Sequence, residues 1–155
     1  MNLKAISPVI ATVIIVSVAI AIAVAVAFWM TGITGLFTRY EKLEVVTAYA
    51  TTTKPTGSGV SGSFYVILEI KNTGTTDATI DNVFINGKPY GDVNAEVAYQ
   101  KGASWTIFTG NVPVTTGSSV KMVVALPDTF ISGQIVEVKI HTASGNEYPK
   151  SVQLP

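Results

Sequence analysis

The side chains that most often supply bases, nucleophiles and soft metal ligands are almost missing from this chain. It contains no cysteine and one histidine, His141. Because His141 lies in the alternating run Val136–His141, which is typical of a strand, we expect a surface or half-buried histidine without a catalytic or metal-binding role. Disulfides and cysteine-ligated metal sites are excluded. The sequence therefore predicts no catalytic residue, no metal, no cofactor and no enzyme activity.

A glycine-rich segment matches a cofactor-binding pattern in form only. Residues Gly57–Gly62 read Gly-Ser-Gly-Val-Ser-Gly, as in the dinucleotide fingerprint G-x-G-x-x-G. That fingerprint binds phosphates when it follows a strand and opens a helix. Here a predicted strand begins directly after it, at Phe64, so we interpret the segment as a surface loop that binds no nucleotide.

Acidic and basic residues are equal in number, and a long segment near the N-terminus contains neither. Lys plus Arg and Asp plus Glu both number 10, so the formal net charge is zero. Binding to nucleic acid normally needs a basic excess, and no nucleic-acid partner is predicted. No charged side chain occurs between Lys4 and Arg39. Beyond this apolar segment roughly 110 residues remain, which suits one domain with its own core.

The uncharged N-terminal segment is longer than the ~20 apolar residues that cross a bilayer core. Val, Ile and Ala occupy most of its positions. In an apolar medium every backbone group must be bonded within the segment, which predicts a helix. Ser7 and Pro8 fit its N-cap and first turn. Two glycines, Gly32 and Gly35, predict a bend or an end of the helix near residues 31–35.

The alternation of alanine with larger residues from Ala19 to Ala27 leaves several interpretations open. Small residues let helix backbones approach closely, as in a bundle of identical helices. Alanine is also tolerated in a single membrane span. The Ala-x-Ala sites in this stretch fit cleavage of an ordinary secretory signal peptide. The apolar run argues against this interpretation, because it continues beyond these sites to Phe37 and is longer than such a signal needs.

From Tyr40 onward the apolar pattern has a period of two, which predicts strands. The strongest hairpin signal is Asn86-Gly87, because both central turn residues need positive φ. Trp105 is expected in the core, and would be a ligand platform only beside an aromatic partner. The predicted strands are Leu43–Thr51, Phe64–Asn72, Ala78–Ile85, Ser104–Phe108, Val120–Leu126, Ile135–Thr142 and Glu147–Gln153. The predicted fold class is α+β, a long hydrophobic N-terminal helix followed by an all-β Ig-like sandwich.

The first residues are more specific than the apolar run itself. Lys4 and Ala5 precede the sequence Ile-Ser-Pro-Val-Ile-Ala-Thr-Val, which begins at Ile6. This start resembles archaeal type IV pilins, which carry a class III signal peptide. The resemblance implies a leader, residues 1–5, that a prepilin peptidase removes between Ala5 and Ile6. It also implies a retained hydrophobic helix, residues 6–38, and a globular domain, residues 39–155.

Two features of this start bear on the kind of filament. Bacterial type IV pilins usually have Glu as the fifth mature residue, where this chain has Ile10, and archaeal pilins commonly lack that Glu as well. The glycine-rich start of archaellins is also missing. The resemblance therefore favours an adhesive pilus over a swimming filament.

The resemblance implies a structural subunit that polymerises through its helix into an extracellular filament on the cell surface. Its expected partners are copies of itself, the prepilin peptidase, the pilus assembly machinery and the membrane before assembly. The positions expected to pack in the polymer are Ile10, Val13, Val18, Ala23 and Phe28. The alternative is a single-pass membrane protein that displays an Ig-like binding domain.

Overall fold

The computed structural model describes residues 8–155 of the chain and divides it after Arg39 into two compact units. The first unit contributes one helix, α1 (Pro8–Phe37), of 30 residues. At 1.5 Å per residue this helix is ~45 Å long, which exceeds the ~30 Å hydrocarbon core of a bilayer. The second unit, Tyr40–Pro155, contains the strands.

The helix continues through both of its glycines. The prediction that it could end near residues 31–35 is therefore wrong. Gly32 and Gly35 lie inside α1, which ends at Phe37. Each interior glycine costs only about 1 kcal/mol relative to alanine. The hydroxyls of Thr31 and Thr34 donate to carbonyls one turn earlier, at 2.8 and 2.7 Å, without interrupting the helix.

Ten strands and one short 3₁₀ helix form the second unit. The 3₁₀ helix spans Tyr90–Val93. The strands are β1 (Leu43–Thr51), β2 (Phe64–Asn72), β3 (Ala78–Ile85), β4 (Lys88–Pro89), β5 (Glu96–Lys101), β6 (Ser104–Ile107), β7 (Val112–Val114), β8 (Ser119–Leu126), β9 (Ile135–Thr142) and β10 (Glu147–Gln153).

The strands pair antiparallel in two five-stranded sheets. The first sheet has the order β1-β2-β8-β5-β6. The second has the order β10-β9-β3-β4, and β7 also pairs with β3. A register shift between Val45 and Thr47 marks a bulge in edge strand β1, a device that increases local twist.

Alternate residues of each strand form the core of this β domain. On β2 and β8 the inward side chains Leu68 and Met122 are fully buried, and on β3 and β9 so are Ile80 and Ile140. These residues belong to one continuous hydrophobic cluster. The predicted α+β class, a long apolar helix followed by a β-sandwich, is confirmed.

All seven predicted strands are present, and their bounds differ by at most one residue from the prediction. Three strands, β4, β5 and β7, were not predicted. β4 has only two residues, and β7 contains Pro113, which reads as a strand breaker. β5 ends in polar residues and has no long apolar run. These strands are specified by their neighbours more than by their own sequences.

The predicted hairpin at Asn86-Gly87 is confirmed and joins β3 to β4. Both residues have positive φ, 50° and 81°. Ile85 and Lys88 are the paired residues on either side of the turn. The Asn86 side chain also accepts a hydrogen bond from the backbone of Glu137 at 2.9 Å, which ties this turn to β9.

Candidate functional site

The largest uncovered apolar surface in the described chain is that of α1. Its side chains are exposed around the whole circumference, from Val9 (69% exposed) to Phe28 (76%) and Trp29 (68%). By length and composition the segment Pro8–Gly35 could cross a membrane, and none of its most apolar stretch is buried. A water-soluble helix would instead keep one polar face.

Each side-chain hydroxyl group of the described part of α1 donates a hydrogen bond to a backbone carbonyl of the same helix. Thr12 donates to the carbonyl of Val9 and Ser17 to that of Val13, each at 2.8 Å. The two threonines near the end of α1 bond in the same way. A helix whose side-chain hydroxyls are satisfied internally can be surrounded by lipid or by other apolar helices at little cost.

The five positions expected to pack in a polymer do not share one side of α1. At about 100° per residue, Ile10 and Phe28 lie on the same side, while Ala23 lies roughly 140° away. Val13 (60% exposed) and Val18 (52%) occupy further directions. The helix therefore offers packing surface in every direction, as a helix surrounded by several neighbours would. Their role in polymerisation stays a prediction.

The predicted processing residues, Lys4, Ala5 and Ile6, lie outside the described residues, as does the predicted N-cap Ser7. Cleavage after Ala5 therefore remains a prediction from the sequence.

His141 is half-buried on β9, as the sequence predicts. Its Nδ1 lies 2.6 Å from Oδ1 of Asp81, and its ring meets the ring of Phe84 edge to face, with centroids 6.0 Å apart. Because a carboxylate only accepts hydrogen bonds, Nδ1–H is the donor. Within residues 8–155, no group of three His, Asp or Glu side chains is arranged to hold a metal ion.

The glycine-rich segment Gly57–Gly62 does not open a helix, and its prediction as a plain surface loop needs correction. Val60 is fully buried and Ser58 is 1% exposed. The loop lies against the outer face of the first sheet, where Val60 packs in a second hydrophobic cluster. A Cβ on Gly62 would lie 2.6 Å from the carbonyl oxygen of Leu126, so this glycine permits the close backbone approach.

Trp105 is not in the core between the sheets, which corrects its predicted position. It lies half-buried on edge strand β6 and packs against the outer cluster under the glycine-rich loop. No sequence signal indicates this position, because the inward and outward faces of a short strand cannot be distinguished until its partner strands are known.

The same outer face contains an open groove of about 380 Å³, lined in part by Tyr49, Glu69, Gln100, Trp105 and Lys121. These residues come from all five strands of the first sheet. Sequence reasoning missed this groove, since these residues come from five strands whose order in the sheet is not readable from the chain.

No protein-family model matches this chain, and no curated protein sequence matches it. Among solved structures, it is similar to the archaellum periplasmic stator protein FlaG from Sulfolobus acidocaldarius. The identity is 16% over 72% of this chain and 99% of that chain, with a TM-score of 0.40.

The chain is also similar to the subunit of the Iho670 flagellar-like filament, at 16% identity over 96% of this chain and 98% of that chain, with a TM-score of 0.41. A β-glucosidase from Chaetomella raphigera is similar at 12% identity over 74% of this chain and 19% of that chain, with a TM-score of 0.34. Overlaps of this quality identify neither a family nor an activity, and the function must be inferred from the helix and the β domain themselves.

Proposed function

We propose that this protein is the structural subunit of an archaeal type IV pilus, an extracellular adhesive filament that polymerises through α1. The observation that carries the proposal is the uncovered apolar surface of α1, which extends around the helix from Val9 to Met30. Such a surface is stable only in an apolar environment. A membrane provides one before assembly, and copies of the same helix provide one afterwards.

The energetics favour an assembly that does not dissociate in water. Burying one Val, Ile or Phe side chain stabilises by about 1.5–3 kcal/mol. Summed over the apolar side chains of α1, the gross gain relative to water is on the order of tens of kcal/mol. The lipid-inserted helix is already removed from water, so the net gain of transfer from lipid into a filament is much smaller. The polar β domain stays in water throughout.

The composition of α1 supports packing between copies. Alanine alternates with Val and Ile from Ala19 to Ala27, and small residues let helix backbones approach closely. Contacts of this kind between different sides of identical helices are heterologous, and heterologous contacts that do not close generate an open helical polymer.

The N-terminal residues supply the processing part of the proposal. Residues 1–5 are the leader, and the prepilin peptidase cuts between Ala5 and Ile6, as the resemblance of this start to archaeal type IV pilins implies. The new N-terminus then precedes α1 by two residues, and the assembly machinery extracts the mature subunit from the membrane.

Electron microscopy and intact mass of filaments sheared from cells test the proposal together. We expect filaments whose subunit mass is short by residues Met1–Ala5. A subunit that starts near Ala25 instead would reveal an ordinary secretory signal peptide, and absence of this chain from all sheared filaments would contradict the proposal.

A second candidate is a single-pass membrane protein that displays the β domain as a binding module. The length of α1 and the internal bonding of its hydroxyls favour it equally, because both suit a lipid environment. Cell fractionation distinguishes the two: a filament subunit sediments with sheared surface material, whereas a single-pass protein stays in the membrane until detergent extracts it.

A further inference from the structure

The outer face of the first sheet places one residue from each of its five strands in a single row. Glu69 on β2 pairs with Thr47 on β1 and with Lys121 on β8. Lys121 pairs with Gln100 on β5, and Gln100 pairs with Trp105 on β6. With strands ~4.8 Å apart, the row extends about 19 Å across the sheet. All five residues line the groove described above, and all but Trp105 have polar side chains.

The polar groups of this row have unused hydrogen-bonding capacity. Within residues 8–155, no side-chain hydrogen bond or ion pair joins Glu69, Gln100 or Lys121 to another residue, although Glu69 and Lys121 are direct cross-strand neighbours. Together they present carboxylate and amide acceptors and ammonium and amide donors. One acidic and one basic side chain leave the groove with no net charge.

Aromatic and apolar groups complete the groove. Tyr49, which is 52% exposed, pairs with Ile67 in the adjacent row, and both line the groove with Trp105 at the opposite edge of the sheet. Trp105 therefore has a second aromatic side chain in the same groove. Aromatic rings offer large apolar faces at low cost in side-chain entropy.

We propose that this groove binds a neutral oligosaccharide. Sugar rings have an apolar C–H face that packs on aromatic rings and a rim of hydroxyls that both donate and accept hydrogen bonds, which matches the two kinds of group in the groove. A lipid or other apolar ligand would leave Glu69, Gln100 and Lys121 without partners, which is unfavourable. A polyanion would meet Glu69 and find no excess of basic residues.

A second protein surface fits the groove less well than an oligosaccharide. Stable protein interfaces bury about 800 Å² on each partner and have an apolar centre, whereas the central residues of this row are charged or polar. The inference goes beyond filament assembly and concerns only the β domain. Its test uses unassembled subunits, so that its failure and the failure of the proposed function are distinguishable.

Fluorescence of Trp105 measures binding directly. The chain has two tryptophans, and Trp29→Phe leaves Trp105 as the single reporter. The full chain carrying this change is kept in micelles of a detergent without a sugar headgroup, which would otherwise compete. It is titrated with maltohexaose, cellohexaose and mannohexaose. We expect a saturable change with at least one of them, at a Kd of about 1 mM or below.

Two tyrosine variants decide whether the groove is the binding site. Tyr49→Ala removes one aromatic face and is expected to weaken binding by about tenfold or more, since aromatic side chains dominate recognition energies. The matched control is Tyr40→Ala, because Tyr40 is also 52% exposed and lies outside the groove. It is expected to leave the Kd unchanged. Circular dichroism melting of each variant checks that the domain stays folded.

Several outcomes would overturn the inference. No saturable response to any of the three sugars, or equal weakening by Tyr49→Ala and Tyr40→Ala, contradicts binding in this groove. Tighter binding of an anionic oligogalacturonate would contradict the choice of a neutral ligand. A change in Trp105 fluorescence that depends on protein concentration, without sugar, would instead assign the groove to a second copy of the chain.

Discussion

The helix and the β domain use the same apolar residue types in opposite ways. Val18 on α1 is 52% exposed, whereas Val124 on β8 is fully buried. In the β domain, alternate positions face the other sheet, so each strand finds its apolar partner within the same chain. In α1 apolar side chains point in every direction, and none of its most apolar stretch is buried. The β domain buries its own hydrophobic surface, whereas α1 leaves its hydrophobic surface exposed.

The strongest test of this difference places the same charge in both regions. Val18→Asp should abolish filaments, because an unpaired carboxylate in a packed apolar bundle costs several kcal/mol. Val46→Asp is the matched control, since Val46 on β1 is 55% exposed and its carboxylate stays in water. Negative-stain electron microscopy scores assembly, and circular dichroism confirms a folded β domain in both variants. Filaments of normal appearance from Val18→Asp would show that α1 does not hold the polymer together.

Removing the helix should abolish filament formation and leave the folding of the β domain intact. A truncated chain of residues 38–155 is expected to be soluble, monomeric and rich in β structure, because the core of the β domain contains no residue of α1. Sedimentation and thermal melting by circular dichroism check this. An unfolded product would mean that the domain depends on α1, and filaments from the truncated chain would mean that the β domains polymerise by themselves.

Shortening one isoleucine in each region gives a graded version of the comparison. Ile140→Ala, at a position 1% exposed between the sheets, should reduce the unfolding free energy of the β domain by about 2–5 kcal/mol. Ile22→Ala removes the same atoms from a side chain 59% exposed on α1 and should leave the unfolding of that domain unchanged. Urea denaturation of both full-length variants measures the difference. Equal destabilisation would contradict the independence of the two units.

The smallest expected effect concerns how the β domain covers its outer face. Gly62→Ala should destabilise the domain by about 1–3 kcal/mol, because the new methyl group overlaps the Leu126 carbonyl and must displace backbone. Gly91→Ala is the control, since nothing lies within 4 Å of a Cβ there, and its effect should stay within about 0.5 kcal/mol. Thermal melting of both variants by circular dichroism measures the difference. Equal stability of the two variants would contradict a close approach of the Gly62 backbone to the Leu126 carbonyl.

The outer face of the first sheet differs from what the sequence predicts. The sequence places Trp105 in the core and the segment Gly57–Gly62 on the surface. In the structure they lie together, with Val60 buried beneath the loop and Trp105 half-buried beside it. A period of two distinguishes the faces of a strand but not which face a distant loop covers. That choice depends on how the loop folds back over strands far away in the sequence.

The sequence by itself determined the division of labour between the two regions. A run without charge must form a helix and must find an apolar environment, and alternating runs with Asn-Gly turns must form antiparallel strands. Tertiary structure alone decided which strands are neighbours. Strand β5 exists as the partner of β8 and β6, and the row from Thr47 to Trp105 forms only because five separate segments pair in one register. Helices, strands and turns depend on residues that are near one another in the sequence. Register and strand order depend on packing between segments that are far apart in the sequence.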